Sequence, residues 1–377
     1  MIESTPLRVA ILLPRRERFA QSGAGAVSTV VDGFAQHSRF HASLKVLGTK
    51  VTDPLQGAAF MPVPLAPFWR GGKSRRYLAG AVRLLKNAAD IVEIHNRPKY
   101  VPFLRKALPD AALVLYLHND PRTMEGTKTP EERRKIGGQV QAVFCVSDYI
   151  RRCFLDGLDD LAAKTFVIPN AIDTIALAPE PGSEKRQEII FVGRTIADKG
   201  PHLLVGAAEK LLPAYPDWKV VIVGGRYFGS GKAEAYEKAL FQRVMRLGPQ
   251  GEVTGYLPRH KVIVRLQQAA IAVLPSLWEE PMPMATMEAA ACGCAVITTR
   301  RGGIPEGMGD AALYLSEETP EAVEVLLQQL MENAAVLRTW QEKARAQVVR
   351  NGDLRSAAQH LDDLRQKVYE AFVLARA

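Results

Sequence analysis

Short runs of consecutive apolar residues, each closed by polar or glycine positions, recur along the chain and alternate with segments of helical periodicity. Residues 7–13, 90–95, 112–118 and 142–146 are strand-like, mostly apolar runs in the first half, and that character predicts strands buried on both faces of a parallel sheet. Helices are predicted over 26–36 and 74–89. The second half repeats the alternation. Strands are predicted at 188–192, 219–225, 271–274 and 295–299, with helices at 202–212, 233–247, from Arg259 onward, and at 284–291, 321–331, 336–350 and 354–374. Two α/β, Rossmann-like domains follow from this order. Residues 178–186 have the proline, glycine and charge content of a linker, so the expected division is 1–177, 178–355 and a terminal helix, 356–377.

A chain of 377 residues exceeds one ordinary core, in agreement with two domains. Its 47% hydrophobic and 24% charged residues are those of a soluble globular protein. No apolar run approaches the ~20 residues that span a bilayer, and Glu3 interrupts an N-terminus without a signal-peptide core, so a cytoplasmic location is expected. Cys145, Cys153, Cys292 and Cys294 lack C-x-x-C spacing and read as buried thiols, not as zinc ligands or a disulfide framework.

The formal charge of +9 implies an anionic partner. No nucleic-acid-binding motif is present, which leaves anionic lipid and nucleotide diphosphate. Residues 68–89 contain no acidic residue but carry Arg70, Lys73, Arg75, Arg76, Arg83 and Lys86 beside Phe68, Trp69 and Tyr77. Such a segment suits peripheral contact with an anionic membrane, or forms the solvated face of a core helix.

The candidate chemistry gathers at predicted strand ends, where parallel sheets bind ligands. In PSLWEEPMPMATMEAAACGCAVITTRRGGIPE, residues 275–306, a strand-loop-helix-strand unit places Glu280 before the helix and Glu288 on it. Carboxylates there can accept hydrogen bonds from polyol hydroxyls; alternatively Glu280 caps the helix and Glu288 is a solvated charge. Arg194 and Lys199 lie at a strand-to-helix turn, where two cations and free N–H groups can neutralise a diphosphate, or simply form surface ion pairs. Gly23 and Gly25 precede the first helix as a phosphate cradle or a flexible connector, about ten residues beyond the strand and without a dinucleotide fingerprint. His95 and His118 end two strands, as structural groups or substrate contacts.

The E-x7-E pair Glu280/Glu288, the A-x-G-x-x-V-I run after it, the G-G-x-P-E loop at Gly302–Glu306 and the G-R-x4-K-G turn at Arg194 and Lys199 together resemble the donor-site signature of retaining glycosyltransferases of family 4. The resemblance implies a GT-B fold: two Rossmann-like, doubly wound domains facing a central cleft, with the C-terminal helix crossing back to the first. It implies that Glu280 and His118 contact the transferred sugar, Glu288 the nucleotide ribose, and Arg194 and Lys199 the diphosphate. Gly23 and Gly25 would approach donor phosphates and acceptor, Gly255 and Tyr256 would border the nucleobase, and Met282 and Met284 would join the donor site. Many relatives have glycine at the position of Pro283, which has no N–H to offer. The implied activity is retaining, metal-independent transfer of a hexosyl unit, with no cofactor, from a nucleotide-diphosphate sugar (UDP-hexose first, GDP-mannose second). The acceptor would be a glycan or lipid-linked glycan of cell-envelope polysaccharide or lipopolysaccharide synthesis. A nucleotide-sugar epimerase of the same fold and a non-catalytic sugar-nucleotide-binding protein are the alternatives, separable by isomerised donor without acceptor and by binding without turnover.

Overall fold

The computed structural model describes residues 6–67, 72–180, 182–226 and 234–376. The chain forms two units, Met1–Ala171 with Leu354–Ala377, and Ile172–Asp353.

In the first unit the elements run β1 (Val9–Leu12), α1 (Ala26–His37), β2 (Lys45–Gly48), β3 (Ala59–Pro62), α2 (Lys73–Leu85), β4 (Ile91–His95) and α3 (Val101–Ala107), then β5 (Ala112–Leu117), α4 (Pro130–Gly137), β6 (Ala142–Cys145), α5 (Asp148–Leu155) and β7 (Thr165–Val167). The strands pair in parallel in the order β3-β2-β1-β4-β5-β6-β7. Every residue of β1, β4, β5 and β6 is buried, as helices on both faces of a parallel sheet require. Side chains start two of the covering helices: Thr129 accepts from the Glu132 N–H at α4, and Ser147 from the Ile150 N–H at α5.

The second unit runs β8 (Arg186–Val192), α6 (Pro201–Leu211), β9 (Lys219–Val223), α7 (Ala235–Arg246), β10 (Gly251–Gly255), α8 (Arg259–Gln268) and β11 (Ala269–Leu274), then α9 (Met284–Ala291), β12 (Ala295–Thr298), α10 (Ile304–Met308), β13 (Leu313–Tyr314), α11 (Pro320–Glu332) and α12 (Ala334–Asn351). Its parallel sheet has the order β10-β9-β8-β11-β12-β13. Each sheet therefore reverses its winding once, between β1 and β4 in the first unit and between β8 and β11 in the second. Ligands of open α/β sheets bind outside the strand ends at such a point.

The last helix, α13 (Leu354–Leu374), belongs to the first unit. Buried Leu361 and Val368 anchor it, and Arg365 reaches Glu93 of β4 through two 2.8 Å hydrogen bonds. Asp362 accepts from the Ser38 hydroxyl at 2.9 Å and from the Arg39 N–H at 2.7 Å, fixing the helix to the end of α1.

The structure divides the chain at Ala171/Ile172 and Asp353/Leu354, where the sequence reading put 177/178 and 355/356. The reason is local: the Ile172 N–H donates to the Gly352 carbonyl at 2.9 Å and the Thr174 hydroxyl to Asp353 at 3.1 Å, drawing residues 172–177 into the second unit. Helix α2 ends at Leu85 instead of residue 89, because Asn87 adopts a positive φ of 60°. Tyr77, Leu78, Ala79, Ala81 and Leu85 of α2 are buried in the unit's own core, whereas Lys73, Arg75, Arg83 and Lys86 are exposed. Phe68, Trp69 and Arg70 of the basic segment, and Ala233 of the helix predicted over 233–247, lie outside the described residues. All four cysteines are buried free thiols. Among the described residues, no helix is long and apolar enough to cross a membrane.

Candidate active site

In the second unit the loops after β8 and β11 meet at the reversal point. Lys199, from the first loop, donates from Nζ to Glu280 Oε1 of the second, and the Ser276 hydroxyl donates to the same oxygen at 2.7 Å. Backbone bonds lock the two loops together: the Asp198 carbonyl accepts from the N–H groups of Leu277 at 2.8 Å and Trp278 at 3.1 Å. Gly200 sits at φ 68°, and a Cβ there would lie 2.1 Å from the Pro275 carbonyl oxygen, so only glycine permits this approach. From the other side the Gly303 N–H donates to the Glu280 carbonyl at 2.6 Å. The G-G-x-P-E loop thus acts as a buttress for Glu280, which is only 6% exposed.

Glu288 stands on the second turn of α9, 8% exposed, and accepts from Arg259 Nε at 3.1 Å and Nη2 at 2.6 Å, both on Oε1. Each glutamate therefore has one oxygen held by the protein. Among the described residues Oε2 of both has no protein partner and is not a sealed, buried atom, so it is available to a ligand hydroxyl. Met282 is buried and Met284 opens α9, where Pro283 is the N-cap and no side chain caps the first turn. The N–H groups of that turn are left for a ligand or solvent.

A cavity of 230 Å³ lies at the ends of β8, β9 and β10, lined by Val192, Gly193, Arg194, Val223, Gly224, Gly225, Arg226, Tyr256, Leu257 and Val262. Gly224 crosses Gly193 so closely that a Cβ would be 1.8 Å from the Gly193 oxygen. The Gly224 N–H donates to the Gly255 carbonyl at 2.9 Å, bringing Tyr256 to the rim. Arg194 is exposed at the mouth. Buried Glu237 braces the wall by accepting from the Thr195 hydroxyl and, at 2.8 Å, from the Arg226 N–H. The arrangement offers an apolar slot for a flat ring beside a cationic turn.

The remaining candidates are in the first unit. Gly23 has φ 71° with open space around it, whereas a Cβ on Gly25 would lie 2.6 Å from Glu17 Oε1. That carboxylate already accepts from the Ser28 N–H at 3.2 Å and hydroxyl at 2.9 Å, so a side chain of the protein occupies this part of the start of α1. His118, 7% exposed, follows β5; its Nε2 lies 2.9 Å from His95 Nδ1, and its backbone N–H donates to Asn96 Oδ1 at 2.8 Å. Burial pushes both imidazoles below their ordinary value, His118 well below, and their proximity lowers His118 further. Both rings are therefore neutral at pH 7. The structure brings Arg194, Lys199, Gly255, Tyr256, Met282, Met284, Glu280 and Glu288 into one unit, and places Gly23, Gly25 and His118 in the other. Arg259, Glu237 and Glu93 are site-supporting residues that the motifs did not reveal, whereas Ser276 belongs to the 275–306 signature. Among the described residues, no group of three His, Cys, Asp or Glu is placed to hold a metal ion.

The family profile of Glycosyl transferases group 1 matches residues 175–347, and that of Glycosyltransferase Family 4 matches residues 31–175. Together the two profiles span residues 31–347, and over that span the chain is similar to the family 4-like glycosyltransferases. Spore coat protein SA of Bacillus subtilis is 31% identical to this chain over 245 residues, covering 60% of this chain and 64% of the relative. Lipopolysaccharide 1,2-N-acetylglucosaminetransferase of Salmonella typhimurium is 25% identical over 245 residues, covering 62% and 60%. These alignments span just under two thirds of the two relatives' own lengths. The crystal structure of Anabaena HepE in complex with UDP and glucose superposes with a TM-score of 0.76 at 17% identity, covering 96% of this chain and 99% of that one. The two Rossmann-like sheets are thus those of the GT-B fold.

Proposed function

We propose that this glycosyltransferase moves a hexosyl unit, with retention and without a metal, from a nucleotide-diphosphate sugar to a hydroxyl of a glycan or lipid-linked glycan. UDP-hexose is the favoured donor and GDP-mannose the second. The observation that carries the reading is the pair of half-satisfied carboxylates beside a cationic turn at the sheet's reversal point. Glu288 Oε2 accepts the ribose hydroxyls and Glu280 Oε2 a hydroxyl of the transferred sugar. The base enters the slot at Tyr256, and Lys199, Arg194 and the first N–H groups of α9 receive the diphosphate. Lys199 is held by Glu280 until the donor arrives, and its charge then stabilises the leaving diphosphate as the sugar–phosphate bond breaks. The acceptor hydroxyl attacks on the face the diphosphate has left, and a phosphate oxygen takes its proton, so no protein nucleophile is required. His118, neutral, contributes a hydrogen bond to the sugar instead of a proton transfer.

Cell-envelope polysaccharide or lipopolysaccharide synthesis is the proposed setting, supported by the lipopolysaccharide transferase among the relatives. A membrane contact through α2 would be electrostatic, since its apolar face is already spent on the core and its lysines and arginines face outward. The test is a thermal-shift panel of UDP, GDP, ADP and their hexose conjugates without metal, on the wild type, Lys199→Ala and Glu288→Ala. One nucleotide raises the melting temperature, and each substitution abolishes the rise. A panel without any response sinks the assignment.

A further inference from the structure

The reversal point of the first sheet carries a second cavity, 420 Å³, within the ~300–1,000 Å³ of ordinary ligand pockets. It is built from the loops that follow three adjacent strands: Arg15 and Arg16 after β1, Asn96, Arg97 and Lys99 after β4, and Glu125 after β5. Four cations thus face one acid. Glu125 pairs with Lys99, and neither Arg15 nor Arg16 has an ion pair among the described residues. Arg97 is pre-positioned by donating from Nη1 to the Asn96 carbonyl at 2.8 Å. Asn96 itself is held at a positive φ of 50° while its Oδ1 accepts from the His118 N–H, which ties the cavity wall to the histidine. Clustered arginines without carboxylate partners are unfavourable to one another and match the oxygens of a phosphate in forked geometry.

We infer that this cavity binds a phosphate or diphosphate group carried by the acceptor, which makes the acceptor a phosphorylated sugar or a lipid-linked sugar phosphate and not a neutral glycan. The inference rests on the proposed transferase reading, with the donor phosphates at Lys199 and the acceptor phosphate at Arg15, Arg16 and Arg97. The two sites are chemically alike but lie in different units, so substitutions separate them.

The experiment measures binding of glucose 1-phosphate calorimetrically with UDP present in excess. It uses the wild type, Arg15→Gln/Arg16→Gln, Lys199→Ala, and Lys45→Gln, which removes an exposed charge at the opposite end of β2. Binding of the sugar phosphate falls about tenfold or more in the arginine double variant, as expected for losing charge-assisted hydrogen bonds, and persists in the other two. UDP binding shows the converse pattern: lost in Lys199→Ala, kept in the arginine variant. Flotation with phosphatidylcholine vesicles, with and without phosphatidic acid, identifies the source. Retention only on the phosphatidic acid vesicles, abolished by Arg15→Gln/Arg16→Gln, assigns the phosphate to a lipid headgroup, and calorimetric binding without flotation assigns it to a soluble ester. Absence of both, or loss in Lys199→Ala with retention in the arginine variant, overturns the inference; UDP binding judges the donor site separately in either event.

Discussion

His95 Nδ1 and His118 Nε2 lie 2.9 Å apart in a setting that keeps both rings neutral, so one nitrogen must donate and the other accept. The far side decides which. His95 Nε2 points toward Glu93 Oε2 at 3.7 Å, and a carboxylate favours a proton on the nitrogen facing it. His95 then accepts at Nδ1, His118 donates from Nε2, and His118 Nδ1 is left as a lone pair. Nitrogen-15 NMR should therefore find His118 as the Nε2–H tautomer, its titration displaced well below the ordinary ~6.5 of histidine. The sign for stability follows from linkage: the unfolded chain takes up protons that the folded His118 refuses. Stability is full above about pH 6.5 and declines as pH falls below it, which a series of melting curves checks. A midpoint that rises on acidification through this window contradicts the neutral pair.

Lys199 and Glu280 are coupled at close range, with Glu280 buried and Lys199 about a quarter exposed. Lys199→Ala leaves the carboxylate with only the Ser276 hydroxyl and is expected to cost about 1–3 kcal/mol of stability. Adding Glu280→Gln removes the orphaned charge and should return part of that cost. A urea-denaturation cycle of the two single variants and the double variant reads the coupling, expected at ~0.5–3 kcal/mol; simple additivity would refute it. Both single variants also lose donor binding, so stability and binding are measured on the same proteins.

The fold and the candidate site are unequally legible in the sequence. Helix α9 has the bounds predicted from its run of strong helix formers before Gly293 and α13 those predicted from its amphipathic pattern, and the roles proposed for Glu280, Glu288, Arg194 and Lys199 are those that the resemblance to family 4 implies. Strands β2 (KVLG) and β3 (AFMP) are not evident from the sequence because four residues carry no long apolar run, and β3, at the sheet edge, is only partly buried as well. Helix α4, PEERRKIG, is mostly polar and starts on a cap that periodicity does not weigh. The partners of the site residues were invisible for another reason: Arg259 and Glu288 are 29 positions apart, and Arg365 and Glu93 are 272 apart. Nothing local in a sequence records which distant charge will be brought opposite.

Gly200 and Gly255 share nearly the same backbone angle, φ 68° and 67°, but not the same surroundings. A methyl group on Gly255 meets open space, whereas on Gly200 it strikes the Pro275 carbonyl at 2.1 Å. Gly255→Ala should cost only the left-handed strain of about 1–2 kcal/mol and keep nucleotide binding. Gly200→Ala adds a backbone collision that pushes apart the loops carrying Lys199 and Glu280. It should be markedly less stable in urea and lose the thermal response to UDP. Equal effects of the two substitutions would show that strain, and not loop contact, governs the turn.

The C-terminal helix is fastened through charge as well as apolar packing. Burial alone would raise the pKa of Glu93, but the Arg365 guanidinium, bonded to both of its oxygens, overrides that and lowers it to about 2. A depressed carboxylate contributes stability above its unfolded value, and that contribution is lost as pH falls. For Glu93 the window runs from 4.5 down to about 2. Arg365→Met strands Glu93 inside the first unit and is expected to cost about 3–5 kcal/mol. Pairing it with Glu93→Gln exchanges the buried charges for neutral groups and should recover much of the loss while flattening the acid limb of the stability curve. If Arg365→Met alone leaves acid unfolding unchanged between pH 4.5 and 2, the pair does not hold α13 in the manner described.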